Sequence, residues 1–174
     1  MVLVDMDGTL ANLSHRQRYI AGTCPERNCE NGKYHSDMDM GSITDCPVCK
    51  GTGKIKKNWD LFFSTVCDDT LIKPTAEWVK SLADQYYVCI VSGRPIDKAG
   101  QATVEWLAKY GIPYDRIFMR NSGDKRPDTI IKKEILDHLL KDRIAFCIDD
   151  RPSVIRVYRA EGLKVYDVGK GEEF

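Results

Sequence analysis

The sequence predicts an α/β fold: a parallel sheet covered by helices on both faces, with one polar interruption near its start. Three observations predict it. Short β-type apolar runs alternate with amphipathic helical patterns along the chain, the order expected of a parallel sheet with crossover helices. The conspicuous polar residues fall where those runs end, and open parallel sheets bind ligands beyond the carboxyl ends of their strands. From roughly 20 to 57 the apolar period stops, and Gly, Asn, Asp and Cys take over.

In order, the β-rich runs are VLVD at the start, YVCIVSG from Tyr87, RIFMR from Arg116, IAFCIDD from Ile144 and KVYDV from Lys164. Four helical patterns lie between them. Thr75 to Gln85 places Trp78, Val79 and Leu82 on one face. Ala99 to Tyr110 does the same with Val104, Leu107 and Ala108, and closes on Gly111 and Pro113, a normal helix stop. Lys132 to Leu140 is the third, and Ser153 to Ala160 the fourth, ended by Glu161-Gly162. At 174 residues the chain suits one well-buried core. It reads as a single domain, 1–174, with the segment 20–57 inserted in it.

Lys plus Arg and Asp plus Glu number 26 each, so the formal net charge is zero. Broad electrostatic capture of nucleic acid is disfavoured, while a local basic path stays open. No apolar run approaches the roughly 18 residues of a membrane span, and no charged leader with an apolar signal core precedes VLVD. The expected location is the cytoplasm, away from membranes.

Four signals carry chemistry. The first is Asp5-Met6-Asp7-Gly8-Thr9-Leu10 after the opening strand. Two carboxylates one residue apart point the same way while strand geometry persists, and Gly8 lets the chain turn. An acidic turn is the bland reading of the carboxylate pair alone; the full pattern after a buried strand favours function. The second is Ser92-Gly93-Arg94, where a hydroxyl can hold a phosphoryl oxygen and a guanidinium can pair with an anion. The third is Lys132, at the start of the third helix. The fourth is Asp149-Asp150, a second acidic pair closing a strand. Two such pairs can converge on one cation.

In this order these residues resemble the four motifs of the haloacid dehalogenase superfamily of phosphohydrolases. Further agreement lies in Arg16, Trp59-Asp60-Leu61, Cys67-Asp68-Asp69, Ile72-Lys73-Pro74, Ile130 to Ile135 and the ending Val168 to Phe174. Those stretches are similar to the 3′-phosphatase domains of bacteriophage polynucleotide kinase-phosphatases. The resemblance implies a haloacid dehalogenase-like Rossmannoid three-layer parallel sheet. It implies Asp5 as nucleophile, forming an aspartyl-phosphate, and Asp7 as general acid and then base. It places Mg²⁺ on Asp5, Asp149 and the Asp7 main-chain carbonyl, and the transferring phosphoryl group on Ser92 and Lys132. By matching position Thr9, Arg16, Arg94, Asp128 and Asp150 complete the substrate site. The implied substrates are 3′-phosphorylated DNA or RNA ends, with a separate kinase or ligase as a conceivable partner. With only four residues before Asp5 and no GxxxxGK[ST] loop, the chain is expected to lack a kinase domain of its own.

The chemistry asks for these residue types in its own right. A carboxylate nucleophile splits phosphoester hydrolysis into two displacements, and Mg²⁺ with a lysine counters the charge that gathers there. The nearest alternative keeps the chemistry and changes the substrate to a nucleotide or small phosphomonoester. A different class, a non-catalytic zinc-containing binding protein on the same scaffold, predicts a broken residue set, and the set is whole.

Seven cysteines are unevenly spread. Cys89 and Cys147 lie in apolar runs, where a thiol acts as a small hydrophobe. Cys24, Cys29, Cys46 and Cys49 cluster in the polar segment and read as a structural four-cysteine zinc site. The tail Cys46-x-x-Cys49-x-Gly51-x-Gly53 resembles one zinc-binding repeat of the J-domain chaperones, whereas the first pair, with four residues between Cys24 and Cys29, departs from it. His35 is a surface histidine or a substitute ligand. A polar insert of this length cannot fold on apolar burial alone, and metal binding can order it. In the superfamily, insertions after the first motif form caps, so the insert is expected to be a small zinc-binding cap. Lys33, Lys50, Lys54, Lys56 and Lys57 could contact a nucleic-acid backbone or form a solvated face.

Overall fold

The computed structural model describes residues 1–24, 26–36 and 42–171, so the last three positions of the ending matched above lie outside the described residues. In chain order the elements are β1 (Val2–Val4), β2 (Ala11–Asn12), α1 (Ser14–Gln17), β3 (Cys29–Glu30), β4 (Lys33–His35), β5 (Ile43–Asp45), α2 (Trp59–Ser64), β6 (Thr70–Leu71), α3 (Lys73–Leu82), β7 (Val88–Pro95), α4 (Ile96–Lys109), β8 (Arg116–Arg120), α5 (Asp128–Asp137), β9 (Phe146–Asp149), α6 (Pro152–Ala160) and β10 (Val165–Asp167). They fall into two compact units, one made of Met1–Leu13 with Val66–Phe174 and the other of Ser14–Thr65. The second unit contains the whole segment 20–57.

The first unit is built on a five-stranded sheet in the order β10-β9-β1-β7-β8, with every neighbouring pair parallel. Side chains alternate between its faces, as a strand period of two requires. Val2, Val4, Val88, Ile90 and Ile148 point to one face, where Ala76 and Val79 of α3 and Trp106 and Leu107 of α4 cover them. Leu3, Cys89, Val91, Cys147 and Val165 point to the other, under Leu136 of α5 and Val154, Ile155 and Tyr158 of α6. The result is the three-layer α/β fold expected, with both strand cysteines serving as core residues.

The helices begin earlier than their apolar periods suggest. Pro74 and Pro152 stand in the first turns of α3 and α6, and Pro127 caps α5. Proline is pre-set for a first turn and lacks an amide that would go unpaired there. Lys132 therefore sits in the second turn of α5, not at its start. In α4 the inward face is Ala99, Thr103, Trp106 and Leu107, while Val104 and Ala108 are exposed. The large Trp106 ring sets the rotation of that helix. A short ladder of β2 on β6, which no apolar run marks, completes the unit.

The second unit carries an antiparallel sheet in the order β3-β4-β5. Its first hairpin turns on Asn31-Gly32, whose φ angles of 49° and 93° suit a two-residue turn with both central residues left-handed. A Cβ on Gly32 would stand 2.1 Å from the Gly51 carbonyl, so the hairpin tip packs directly on the Cys46–Gly53 loop. Phe62 of α2 is buried in this unit, against Trp59 and Phe63.

Candidate active site

Sheet register assembles the site. Val4 pairs with Ile148, and the Asp5 amide donates to the Ile148 carbonyl at 3.0 Å, so Asp5 and Asp149 emerge side by side from adjacent strands. Lys132 reaches in from α5 and donates from Nζ to Asp5 Oδ1 at 2.6 Å and to Asp149 Oδ2 at 2.8 Å. All three are buried. Burial, opposed by Lys132 and reinforced by Asp149 and Asp150, holds the Asp5 carboxyl well above its usual range. Burial alone would discharge Lys132, but Asp149 and Asp5 outweigh it and keep the ammonium charged.

Asp5, Asp149 and Asp150 present carboxylate oxygens within 4.8 Å of one another. When all three are ionised, they outnumber the one ammonium that bonds to them, with Arg151 nearby already engaged by Asp128. A hard divalent cation such as Mg²⁺, which takes oxygen ligands and keeps several waters, fits that donor set. The turn after Asp7 brings the two acidic motifs together. Gly8 has φ of 87°, and a Cβ on it would lie 2.0 Å from Asp150 Oδ2. Beside it the Thr9 hydroxyl donates to Asp150 Oδ1 at 3.0 Å.

Asp7 is held separately. Arg94 Nε donates to its two oxygens at 3.0 and 3.2 Å, and Nη2 to Oδ1 at 2.5 Å. The same guanidinium reaches Asp69 at 2.6 Å and the Thr103 hydroxyl at 3.1 Å. Arg94 is 0% exposed. Expected at the substrate, Arg94 is buried here with its guanidinium against the Asp7 and Asp69 carboxylates. A bulge between Ser92 and Pro95 creates this arrangement, turning Arg94 inward and letting its amide donate to Ser92 Oγ at 3.2 Å. Gly93 is required there, because a Cβ would meet Asp128 Oδ1 at 2.2 Å. Asp128 in turn is gripped by Arg120 and by Arg151, the latter at 2.5 Å.

Asp5, Asp7, Thr9, Ser92, Arg94, Asp128, Lys132, Asp149 and Asp150 thus form one connected constellation in the first unit. Arg16 belongs to the second, where its buried guanidinium lies 4.2 Å over the Phe62 ring. The sequence reading missed Asp69, Thr103, Arg120 and Arg151 as site-building residues. Arg151 adjoins the Asp149-Asp150 pair and Arg120 ends a strand, which are usable signals. Asp69 stands in the Cys67-Asp68-Asp69 stretch of the resemblance, whereas nothing local marks Thr103.

In the second unit the Sγ atoms of Cys24, Cys29, Cys46 and Cys49 lie within 4.8 Å of one another. The Cys24–Cys46 and Cys29–Cys49 separations are both 3.7 Å. A tetrahedron with zinc–sulfur arms of about 2.3 Å has edges of about 3.8 Å, whereas a disulfide would bring sulfurs to about 2.05 Å. The thiols therefore fit zinc. Burial pushes the Cys49 thiol up, but the Gly53 amide at 3.2 Å and the neighbouring thiols outweigh it and bring it to about 7. His35 stays outside the cluster, 3.7 Å from Glu30.

Residues 50–173 match the family described as the polynucleotide kinase PNKP phosphatase domain. The chain belongs to this family. Two solved Pnkp1/Rnl/Hen1 complexes, one described as an RNA repair complex, superimpose over 99% of this chain, with TM-scores of 0.69 and 0.66 at 30% and 28% identity. The chain spans 46% and 43% of those relatives, less than half of each. The haloacid dehalogenase-like hydrolase SP0104 of Streptococcus pneumoniae shares the fold, with a TM-score of 0.59 at 16% identity over 99% of this chain and 86% of its own. As a member of the PNKP phosphatase family, the chain is a haloacid dehalogenase-type phosphatase, a phosphoric monoester hydrolase. Among the described residues no helix is long and apolar enough to cross a membrane.

Proposed function

We propose that the protein removes 3′-phosphate from polynucleotide ends in a Mg²⁺-dependent reaction through an aspartyl-phosphate on Asp5. The observation that carries this reading is the buried Asp5–Lys132–Asp149 array beside a separately held Asp7. An Asp5 oxygen attacks phosphorus in line with the ester bond, and the P–O3′ bond breaks. Asp7 gives its proton to the leaving 3′-oxygen. It then takes a proton from water, which attacks the phosphorus of the aspartyl-phosphate and releases inorganic phosphate. Lys132 steers Asp5 and neutralises phosphoryl oxygens, while Ser92 offers a hydroxyl from within the neighbouring strand, just before its bulge. Arg94 fixes the direction of the Asp7 carboxylate, which must address opposite partners in the two half-reactions. Mg²⁺, held by Asp5, Asp149 and the Asp7 carbonyl with Asp150 adjacent, would supply charge neutralisation on the phosphoryl group.

Within the 1–174 domain, the insert 20–57 is read as a cap ordered by zinc on its four cysteines. The relative solved in an RNA repair complex favours RNA ends as substrate, and a separate ligase is the partner such ends call for. The test is phosphate release from 3′-phosphorylated RNA and DNA oligonucleotides, a 5′-phosphorylated oligonucleotide and a 3′-mononucleotide, with and without Mg²⁺. Mg²⁺-dependent release from 3′ ends, abolished by Asp5→Asn, is expected. Release from the mononucleotide alone would keep the chemistry and move the substrate. Near-parental turnover by Asp5→Asn would sink the nucleophile assignment.

A further inference from the structure

The loop after the last cysteine pair carries Lys50, Lys54, Lys56 and Lys57, all exposed, and no acidic residue separates Asp45 from Asp60. The loop is held in place. The Cys24 amide donates to the Gly53 carbonyl at 3.0 Å, Ile55 to Gly22 at 3.2 Å and Asn58 to Tyr19 at 2.8 Å. Asn58 then caps α2, accepting from the Leu61 amide at 2.9 Å, which sets Trp59 at the first helical position. Trp59 stacks on Phe63 with ring centroids 5.9 Å apart and planes at 23°, and meets the edge of Phe62 at 5.5 Å. Phe62 is the buried anchor, whereas Trp59 remains 46% exposed. Lys57 Nζ lies 5.9 Å from the Trp59 ring centroid.

A large flat ring, held by its neighbours yet open to solvent, with Lys57 beside it and Lys54 and Lys56 just before it in the chain, is a combination that binds single-stranded nucleic acid. Stacking is tolerant of base identity because every base has a π face, and lysines track the phosphates. We propose that the strip Lys54–Phe63 is a polynucleotide grip, in which one nucleobase stacks on Trp59 while Lys54, Lys56 and Lys57 neutralise the adjoining phosphates. The proposal rests on the polynucleotide reading above and names the part of the chain that holds the strand. A net charge of zero is compatible with it, because the attraction is local. One of the loop's hydrogen bonds ties Gly53 to Cys24, and the Gly53 amide donates to Cys49 Sγ at 3.2 Å, so the four-cysteine cluster anchors the residue just before Lys54.

The test separates grip from chemistry. Binding of unphosphorylated, end-labelled 12-nucleotide RNA and DNA strands to the whole protein is read by fluorescence anisotropy with Mg²⁺ present. Trp59→Ala should weaken binding by roughly 5- to 100-fold, with Trp59→Phe close to parental. Lys56→Glu with Lys57→Glu should flatten the dependence of log affinity on log salt by roughly 1.4, at about 0.7 per lost phosphate contact on a single strand. This pair leaves the aromatic packing intact and decides the matter if Trp59→Ala fails to fold. Phosphate release from the 3′-mononucleotide should be unchanged in all three variants. Parental affinity in both Trp59→Ala and the lysine variant overturns the grip, as does a change in sedimentation with no change in strand binding, which would make Trp59 a self-association surface. Strand binding without phosphate release would instead leave the grip standing and overturn the 3′-phosphatase reading.

Discussion

Replacing Arg94 with Met removes the cation that bridges Asp7 and Asp69. The guanidinium is fully buried and so is the Asp69 carboxylate. The variant would leave Asp69 as a carboxylate without this counter-ion, inside a site that also loses the Thr103 contact. Breaking a buried pair from one side costs about 3–5 kcal/mol. With a urea m-value of about 2 kcal/mol/M, the midpoint should fall by about 1.5–2.5 M. Trp106 offers a local probe, since its indole donates to the Asp69 carbonyl at 2.7 Å. Urea titrations followed by its fluorescence and by far-UV circular dichroism should agree for the first unit. The decisive comparison is the cycle with Asp69→Asn. Neutralising Asp69 should recover part of the loss, giving a coupling of about 1.5–3 kcal/mol between directly contacting groups. Additivity within about 0.5 kcal/mol would refute the claim that the buried ion pair is what Arg94 supplies.

Other outcomes follow from single contacts. Cys46→Ser or a zinc-selective chelator should expose the Cys24 and Cys46 amides to rapid hydrogen exchange while the Asp5 amide stays protected, and the parent should release one zinc per chain; retained protection without zinc would refute the metal's ordering role. Gly169→Ala would place a Cβ 2.1 Å from the Asp150 carbonyl, so thermal unfolding should show a loss of about 1–3 kcal/mol, with phosphate release reduced as Asp150 shifts. Hydrogen bonds from the Arg126 side chain and amide lower the Asp124 carboxyl to about 2, below its unfolded value of about 3.9. That stabilisation is present above about pH 4 and is lost as pH falls toward 2, so Asp124→Asn should flatten stability over that window in acid titrations.

Much of the fold is legible because each sheet strand is short, apolar and closed by a polar signal. Asp5 and Asp149 can be placed at strand ends on that ground alone, whereas Ser92, expected at one, lies within β7 just before its bulge. The buried role of Arg94 cannot be, since a charged residue in a Ser-Gly-Arg turn reads as solvent- or ligand-facing until the bulge of β7 and the carboxylates of Asp7 and Asp69 are known. Asp69 stands in a stretch the resemblance marks, but its pairing is hidden for the same reason: its partner lies 25 residues away. The hairpin of the second unit has its signal in Asn31-Gly32, but its flanking strands lack the apolar alternation that would make the turn convincing. The contacts that gather it are non-local, the four thiols joining residues from 24 to 49. Val104 fails as a core residue because helical period alone cannot choose between two nearby rotations; the volume of Trp106 does.

The strand order has a temporal consequence. β1 lies between β7 and β9, although it leaves the ribosome well before either. Asp5 is therefore made long before Lys132 and Asp149, the two residues that hold it in position. A nascent chain interrupted before residue 149 would carry an incomplete charge array and an opening strand with an unpaired edge. Contacts of such long sequence separation form slowly. Asp5 waits, solvated and unaimed, until the second acidic strand has emerged and slid in beside it.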